Sequence, residues 1–352
     1  MKKILFLLLS VLVLSAYNQK QPNMNNKKAI LVIHGGAGTI LKKNMTPEKE
    51  EAYRQKLTEA LMAGQKVLND SGTSTDAVIA AIEVLENSPL FNAGKGSVFT
   101  HHETNEMDAS IMEGKTKNAG ATAGIRTVKN PIKLAFAIMT KSEHVMLSGK
   151  GAEEFAELMG LEIVDSSYFY DENRYKQLKK VQESDRSMLD HDSDKPINDS
   201  SEIEFNIKLD PDDKKFGTVG AVALDKFGNL AAGTSTGGMT NKKYGRIGDS
   251  PVIGAGTYAD DSTCAVSCTG HGEYFIRYAV AFDLHAKIKY EKKTLLDAAK
   301  EIIHQSLKTA GGSGGLIALD KNGNFAMVFN TAGMYRAVLY DDGTIELGIY
   351  ND

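Results

Sequence analysis

Phe216-Gly217-Thr218-Val219-Gly220-Ala221-Val222-Ala223-Leu224-Asp225 is the stretch that decides how this chain reads. A segment rich in charges and breakers ends there, and a strand begins. Taken alone, Gly217-Thr218 is an ordinary strand start with a β-branched residue. It also admits a second reading. Cut between Gly217 and Thr218, the chain would expose a new N-terminal threonine. Its hydroxyl would be a nucleophile, and its own α-amine would be the base.

Just upstream, residues 184–215 are rich in Asp, Ser and Lys, broken by Pro196 and Pro211, and poor in periodic apolar residues. They read as a flexible linker. A long structureless segment inside a compact unit is uncommon unless it has a function, and this one leads straight to Gly217-Thr218. Downstream, Val222 to Leu230 reads as a hairpin around Asp225-Lys226-Phe227-Gly228-Asn229. The pattern returns in Ile317 to Phe325 around Asp320-Lys321-Asn322-Gly323-Asn324. Helices are expected between the hairpins at Tyr274–Ile288 and Thr294–Lys308.

Nearer the N-terminus, the apolar run Ala29–His34 is a buried strand that ends in Gly35-Gly36-Ala37-Gly38. Thr46-Pro47-Glu48 starts a helix that runs to about Asn69. A second helix spans Thr75-Asp76 to the Asn87-Ser88-Pro89 break. Phe91 to Gly96 is a tight loop, Asn105 to Arg126 reads as short strands and turns, and further helices start at Asn130-Pro131 and near Gly151. Strands at each end with helices between predict packed sheets covered by helices.

Composition narrows the function. The 352 residues carry a net charge of -4 and no Lys/Arg-rich block, so no nucleic-acid partner is expected. The 33 glycines are clustered, which suggests tight turns around a site. Residues 1–18, with Lys2-Lys3 ahead of the apolar run Ile4–Leu14, read as a secretory signal peptide; the run is too short to span a bilayer. Residues 19–27 read as a disordered N-terminus. Leu14-Ser15-Ala16 resembles a lipoprotein box, but Tyr17 stands where the lipid-bearing cysteine would be. No membrane anchor is therefore expected in the mature form, and the location implied is periplasmic or secreted. Cys264 and Cys268 lie about 13 Å apart if their segment is a strand. That is too far for a disulfide, and they have no second pair to make a zinc site.

One motif competes with Thr218. Gly233-Thr234-Ser235-Thr236-Gly237 has the form of an esterase nucleophile elbow, and His34-Gly35-Gly36 resembles an esterase oxyanion loop. The sequence after Gly237 does not start a helix, however, and the two motifs stand far apart.

Five patches cluster the glycines: 34–38, 91–96, 233–238, 246–249 and 269–272. With Gly217-Thr218-Val219-Gly220-Ala221-Val222, Thr234 to Lys242, Gly245 to Pro251 and Ser267-Cys268-Thr269-Gly270, the chain resembles the plant-type asparaginase and isoaspartyl peptidase family of N-terminal-nucleophile hydrolases. The resemblance runs from about Lys27 to the C-terminus. It implies an α+β fold, a four-layer αββα sandwich. It implies an α subunit of residues 28–217 and a β subunit of residues 218–352, with cleavage at Gly217–Thr218. Two of each would assemble as a heterotetramer. The reaction implied is hydrolysis of β-aspartyl dipeptides and of the side-chain amide of L-asparagine.

The resemblance also implies roles for single residues. Thr218 is the nucleophile and Thr236 orients it. Thr269 and Gly270 form the oxyanion hole. Arg246 forks onto the substrate α-carboxylate and Asp249 pairs with its α-ammonium. Ile247, Gly248, His271 and Gly272 complete the substrate site, with His271 narrowing the leaving-group side, and Asn92 lies in a loop near the nucleophile. No cofactor takes part in catalysis. A structural sodium would rest on the carbonyls of Leu85, Glu86, Ser88, Phe91, Ala93 and Lys95. His34 is expected to cap the first strand and pack under the site. Two alternatives remain at this point: a glycosylasparaginase, and a homologue that binds without cutting itself.

Overall fold

β1 (Ala29–Gly38) takes its all-apolar opening from its place between two other strands. The computed structural model describes residues 28–183 and 217–351. The expected signal peptide, the N-terminal segment 19–27 and the linker 184–215 therefore lie outside the described residues.

The remaining strands are β2 (Met107–Glu113), β3 (Ala119–Ile125), β4 (Met146–Ser148), β5 (Val219–Leu224), β6 (Leu230–Thr236), β7 (Thr257–Ala259), β8 (Cys264–Gly270), β9 (Gly314–Asp320), β10 (Phe325–Phe329), β11 (Gly333–Tyr340) and β12 (Ile345–Tyr350). They form an eight-stranded sheet, ordered β12-β11-β1-β5-β6-β2-β3-β4, and a four-stranded sheet, ordered β10-β9-β8-β7. Val32, Val222 and Ala232 of the large sheet meet Ala265, Ile317 and Leu319 of the small one in a dry core.

Helices cover both outer faces. α1 (Pro47–Asn69), α2 (Ser74–Glu86) and α3 (Pro131–Lys141) pack on the large sheet through Leu57, Leu61, Val78, Ile82 and Ile132. Gly233 on β6 lets Val78 and Ile82 approach the sheet; a Cβ there would crowd both. α4 (Gly149–Leu158) packs beside α3, and α5 (Glu172–Glu183) follows it in the chain. α6 (Gly272–Arg277), α7 (Val280–Glu291) and α8 (Leu295–Lys300) cover the small sheet through Phe275, Leu284 and Ala298. The order helix, sheet, sheet, helix is the four-layer α+β sandwich. Each large apolar side chain fully buried between layers contributes ~1.5–3 kcal/mol.

Local chemistry sets the helix starts. Thr46 accepts from Lys49 N ahead of Pro47. Thr73 and Asp76 form a reciprocal capping box. The hairpin echo is also present: Asp225 Oδ1 accepts from Phe227 N and Asn229 N, and Asp320 Oδ1 accepts from Asn322 N and Asn324 N.

Four expectations change. The helix Tyr274–Ile288 is two helices, because Ala279 takes a left-handed conformation (φ 46) between α6 and α7. The helix Thr294–Lys308 widens after Lys300 into a π-helical stretch at Glu301–Leu307. β1 does not stop at His34 but runs on to Gly38, with its register irregular between His34 and Ala37. His34 is thus inside the strand, not a cap on it. Cys264 and Cys268 are buried and unpaired.

Candidate active site

β5 and β6 bring the nucleophile candidate and its neighbour together. Val219 pairs with Ser235 and Gly220 with Thr234, so Thr218, one residue before the ladder, meets Thr236 at its end. Thr218 Oγ1 donates to Thr236 Oγ1 at 3.0 Å, and Thr236 Oγ1 also accepts from Gly238 N at 3.0 Å. Both threonines are buried.

The Gly217 carbonyl accepts from Asn92 N at 3.0 Å. Asn92 pins the loops around it. Its Nδ2 donates to Gly238 O, its Oδ1 accepts from Val98 N, and its carbonyl accepts from Gly237 N. Lys242, buried, donates from Nζ to Gly237 O and Glu106 O. Burial lowers its pKa, while the nearby Asp108 carboxyl acts the other way.

Gly217, Thr218, Thr236, Arg246, Asp249 and Gly270 line one narrow cleft. Arg246 Nε and Nη2 donate to the two carboxylate oxygens of Glu273 at 2.9 and 3.0 Å. The fork expected for a substrate carboxylate is therefore held by Glu273, and Nη1 is the edge left over. His271 Nε2 lies 3.2 Å from Glu273 Oε2. Burial opposes ionisation of Glu273, but the bonds from His271 and Arg246 hold it well below the usual carboxylate range. Gly248 and Gly272 leave room for the guanidinium, since a Cβ at either would crowd it.

Asp249 is buried, and no described protein group bonds its Oδ2. Burial pushes its carboxyl up to about 7, while Arg246 pulls the other way. Across the cleft, Thr269 Oγ1 accepts from Ala37 N at 3.3 Å, so its own proton is free for an oxyanion. Gly270, opposite Gly314 in the β8–β9 ladder, has φ +157 and no room for a Cβ. Ile247 is exposed.

Ser235 is not placed as a nucleophile. It lies within β6, and its hydroxyl donates to the buried Glu86 at 2.6 Å, toward the helix layer. Glu86 also accepts from Ile132 N and Asn130 Nδ2, and burial raises its pKa to about 8 against those bonds.

The proposed cation loop follows α2. A Cβ at Gly94 would collide with Glu86 O, and one at Gly96 with Phe91 O. Leu85 O and Ala93 O each accept a local bond, from Ser88 N and Gly96 N. The Lys95 ammonium lies over the Tyr168 ring. Among the described residues no group of three or more His, Cys, Asp or Glu side chains could hold a metal. A cation in this loop would rest on neutral carbonyl oxygens, hard donors that can replace part of an ion's hydration shell.

Three site residues escaped the sequence reading: Glu273, Lys242 and Asp108. Lys242 stands inside a motif quoted for the resemblance, but nothing local says that its chain turns inward. Glu273 follows Gly272 in a helix start where an acid is common, so its bond to Arg246 is invisible in one dimension.

The family model described as asparaginase matches residues 27–349. The putative isoaspartyl peptidase/L-asparaginase of Dictyostelium discoideum is 48% identical over 91% of this chain and 96% of its own length. The isoaspartyl peptidase of Escherichia coli (strain K12) is 46% identical over 92% of this chain and 97% of its own. The isoaspartyl peptidase/L-asparaginase of Mus musculus is 39% identical over 91% and 90%.

Proposed function

This chain belongs to the asparaginase family, and on that premise we propose that it hydrolyses β-aspartyl amide bonds, in isoaspartyl dipeptides and in L-asparagine, after cutting itself between Gly217 and Thr218. The observation that carries the reading is one cleft in which the Thr218 hydroxyl faces Arg246 and a buried Asp249 oxygen without a partner.

In the first reaction the Thr218 oxygen attacks the Gly217 carbonyl carbon. Charge develops on the oxygen that Asn92 N already bonds. The bond to the Thr218 nitrogen breaks, that nitrogen takes a proton, and an ester remains for water to hydrolyse. Cleavage converts an amide nitrogen into an α-amine of pKa about 7.7–8.0, a suitable general base near neutral pH. In the second reaction the freed hydroxyl gives its proton to the Thr218 α-amine and attacks the substrate side-chain carbonyl. The amide C–N bond breaks, and the departing ammonia or amino acid takes that proton. Water then hydrolyses the β-aspartyl ester to free aspartate and Thr218. Thr269 Oγ1 and Gly270 N stabilise the oxyanion, and losing one such donor costs ~3–4 kcal/mol. Arg246 Nη1 takes the substrate α-carboxylate, and Asp249 Oδ2 takes its α-ammonium.

The proposal extends to the surroundings of the site. Residues 1–18 direct export to the periplasm or beyond, two cleaved precursors assemble as a heterotetramer, and a sodium ion stiffens the loop after α2 without touching the reaction.

Thr218→Ala tests the reading. It should stay a single uncut chain on a denaturing gel and lose turnover by roughly 10³ or more. Wild type should give two bands, the smaller starting at Thr218. A wild type that stays whole, or an active Thr218→Ala enzyme, would sink the proposal. Preference for glycosylated asparagine over β-aspartyl dipeptides would redirect it to the glycosylasparaginase reaction.

A further inference from the structure

A run of buried polar side chains lies between the two sheets, and the proposed reaction uses none of them. His34 Nδ1 is 3.1 Å from the Thr218 carbonyl oxygen, and Nε2 is 3.0 Å from Ser267 Oγ. A carbonyl only accepts, so Nδ1 carries the ring proton and Nε2 accepts from the Ser267 hydroxyl. Ser267 Oγ accepts from Thr234 Oγ1 (2.7 Å), which accepts from Thr257 Oγ1 (2.6 Å); Ser110 Oγ packs 2.8 Å from Thr257 Oγ1. Ser110 Oγ donates at 2.6 Å to the carbonyl of Ser250, the residue after Asp249. Every one of these residues is buried.

Two features show that the contact at His34 is built. Gly220, opposite His34 in the ladder, makes room for it, because a Cβ there would overlap both Ser267 Oγ and His34 Nε2. The pairing of β5 with its neighbours also begins after Thr218, at Val219 with β6 and at Gly220 with β1. The Thr218 carbonyl is therefore held by a side chain where the sheet ladder has not yet begun. Once the bond to Gly217 is gone, that carbonyl is an anchor for the α-carbon bearing both the amine and the hydroxyl.

We propose that His34 is a positioning residue for the nucleophile: its Nδ1–H fixes the Thr218 carbonyl, and the Ser267 hydroxyl, held in turn by Thr234 and Thr257, fixes the ring from Nε2. The inference rests on Thr218 being the nucleophile. A ring this buried stays neutral, its pKa lowered by burial to about 3 although the bond to Thr218 raises it. It therefore serves as a fixed donor and not as a base.

Asparagine and glutamine separate the two ring nitrogens. His34→Asn places an amide nitrogen near the Nδ1 position, and His34→Gln places one near Nε2. Loss of the Thr218 bond misplaces the nucleophile, and small misplacements can cost up to about a hundredfold. His34→Gln should therefore lower kcat and the self-cleavage rate by about tenfold or more with KM changed less than about twofold. His34→Asn should keep kcat within about threefold. Equal losses that track the fall in Tm, or the reverse order, overturn the proposal.

Nitrogen NMR of the wild-type ring needs no variant. It should report the neutral Nδ1–H tautomer from about pH 5 to about pH 8; a ring that titrates there, or carries its proton on Nε2, overturns it equally. An intact, inactive wild type would instead deny that Thr218 is the nucleophile. A cleaved, active wild type with Gln and Asn variants alike would deny only the role of His34.

Discussion

A buried carboxylate oxygen without a partner costs roughly 1–3 kcal/mol or more, and Asp249 Oδ2 is such an oxygen. A substrate α-ammonium would satisfy it, with the α-carboxylate beside it on Arg246 Nη1. Only ionised Asp249 makes that pair, and burial has moved its pKa from 3.8 up to about 7. Raising the pH through that value ionises more of it, so KM should fall roughly tenfold between about pH 6 and about pH 8. In the proposed mechanism the α-amine of Thr218 would govern kcat instead, so a full rate profile separates the two. Asp249→Asn should raise KM and flatten its pH dependence; a slope that survives this change would assign the titration elsewhere. Stability has the opposite sense. A carboxyl whose folded pKa is raised contributes stability fully below its unfolded value of about 3.8, and loses it as pH rises toward 7. The empty site is therefore strained in the pH range where it binds best.

Among the elements, the junction of α6 and α7 carries backbone strain at a residue with no polar side chain to offset it. Ala279 has φ 46 and ψ 48, is exposed, and its carbonyl accepts from Asp283 N as α7 begins. A left-handed L-residue costs ~1–2 kcal/mol, and glycine adds only ~0.5–1 kcal/mol of unfolded-state freedom. Ala279→Gly should therefore stabilise by ~0.5–1 kcal/mol and raise Tm by about 1–2 °C; calorimetry showing a lower Tm would refute the strain. An alanine carries no breaker signal, which is why Tyr274–Ile288 reads as one helix in the sequence. The elements that were legible carry local signals: the Thr46-Pro47 cap, Thr73 with Asp76, and the paired Asp225 and Asp320 turns. The same divide runs through the site. Thr218 and Thr236 are 18 residues apart across one hairpin, so their contact follows from pairing. His34 reaches Thr218 across 184 residues and Ser267 across 233, and only the layering of the two sheets joins them.

At the scale of the molecule, the proposed cut falls in a sheet whose strands alternate between the two halves of the chain. β1, β2, β3 and β4 precede Gly217, whereas β5, β6, β11 and β12 follow it, and their order is β12-β11-β1-β5-β6-β2-β3-β4. β1 therefore lies between two strands of the other half, and β6 pairs with β2 along a third seam. The site exists only when β5 has entered between β1 and β6, so cleavage must follow folding. The cleaved pieces cannot part without breaking all three ladders, and they should run as one species on a native column. After complete denaturation the two forms should behave differently. Uncut Thr218→Ala carries both halves on one chain, so the refolding of each protomer, ahead of any assembly, should not depend on concentration. The cleaved enzyme must find its other half by collision, so its regain of activity should rise with protein concentration. Regain should vanish when the pieces are separated in denaturant and returned to native buffer alone. Concentration-independent regain by the cleaved enzyme, or activity in either isolated piece, would mean that one half can build the sheet unaided, and the interleaved strand order gives neither half the neighbours to do so.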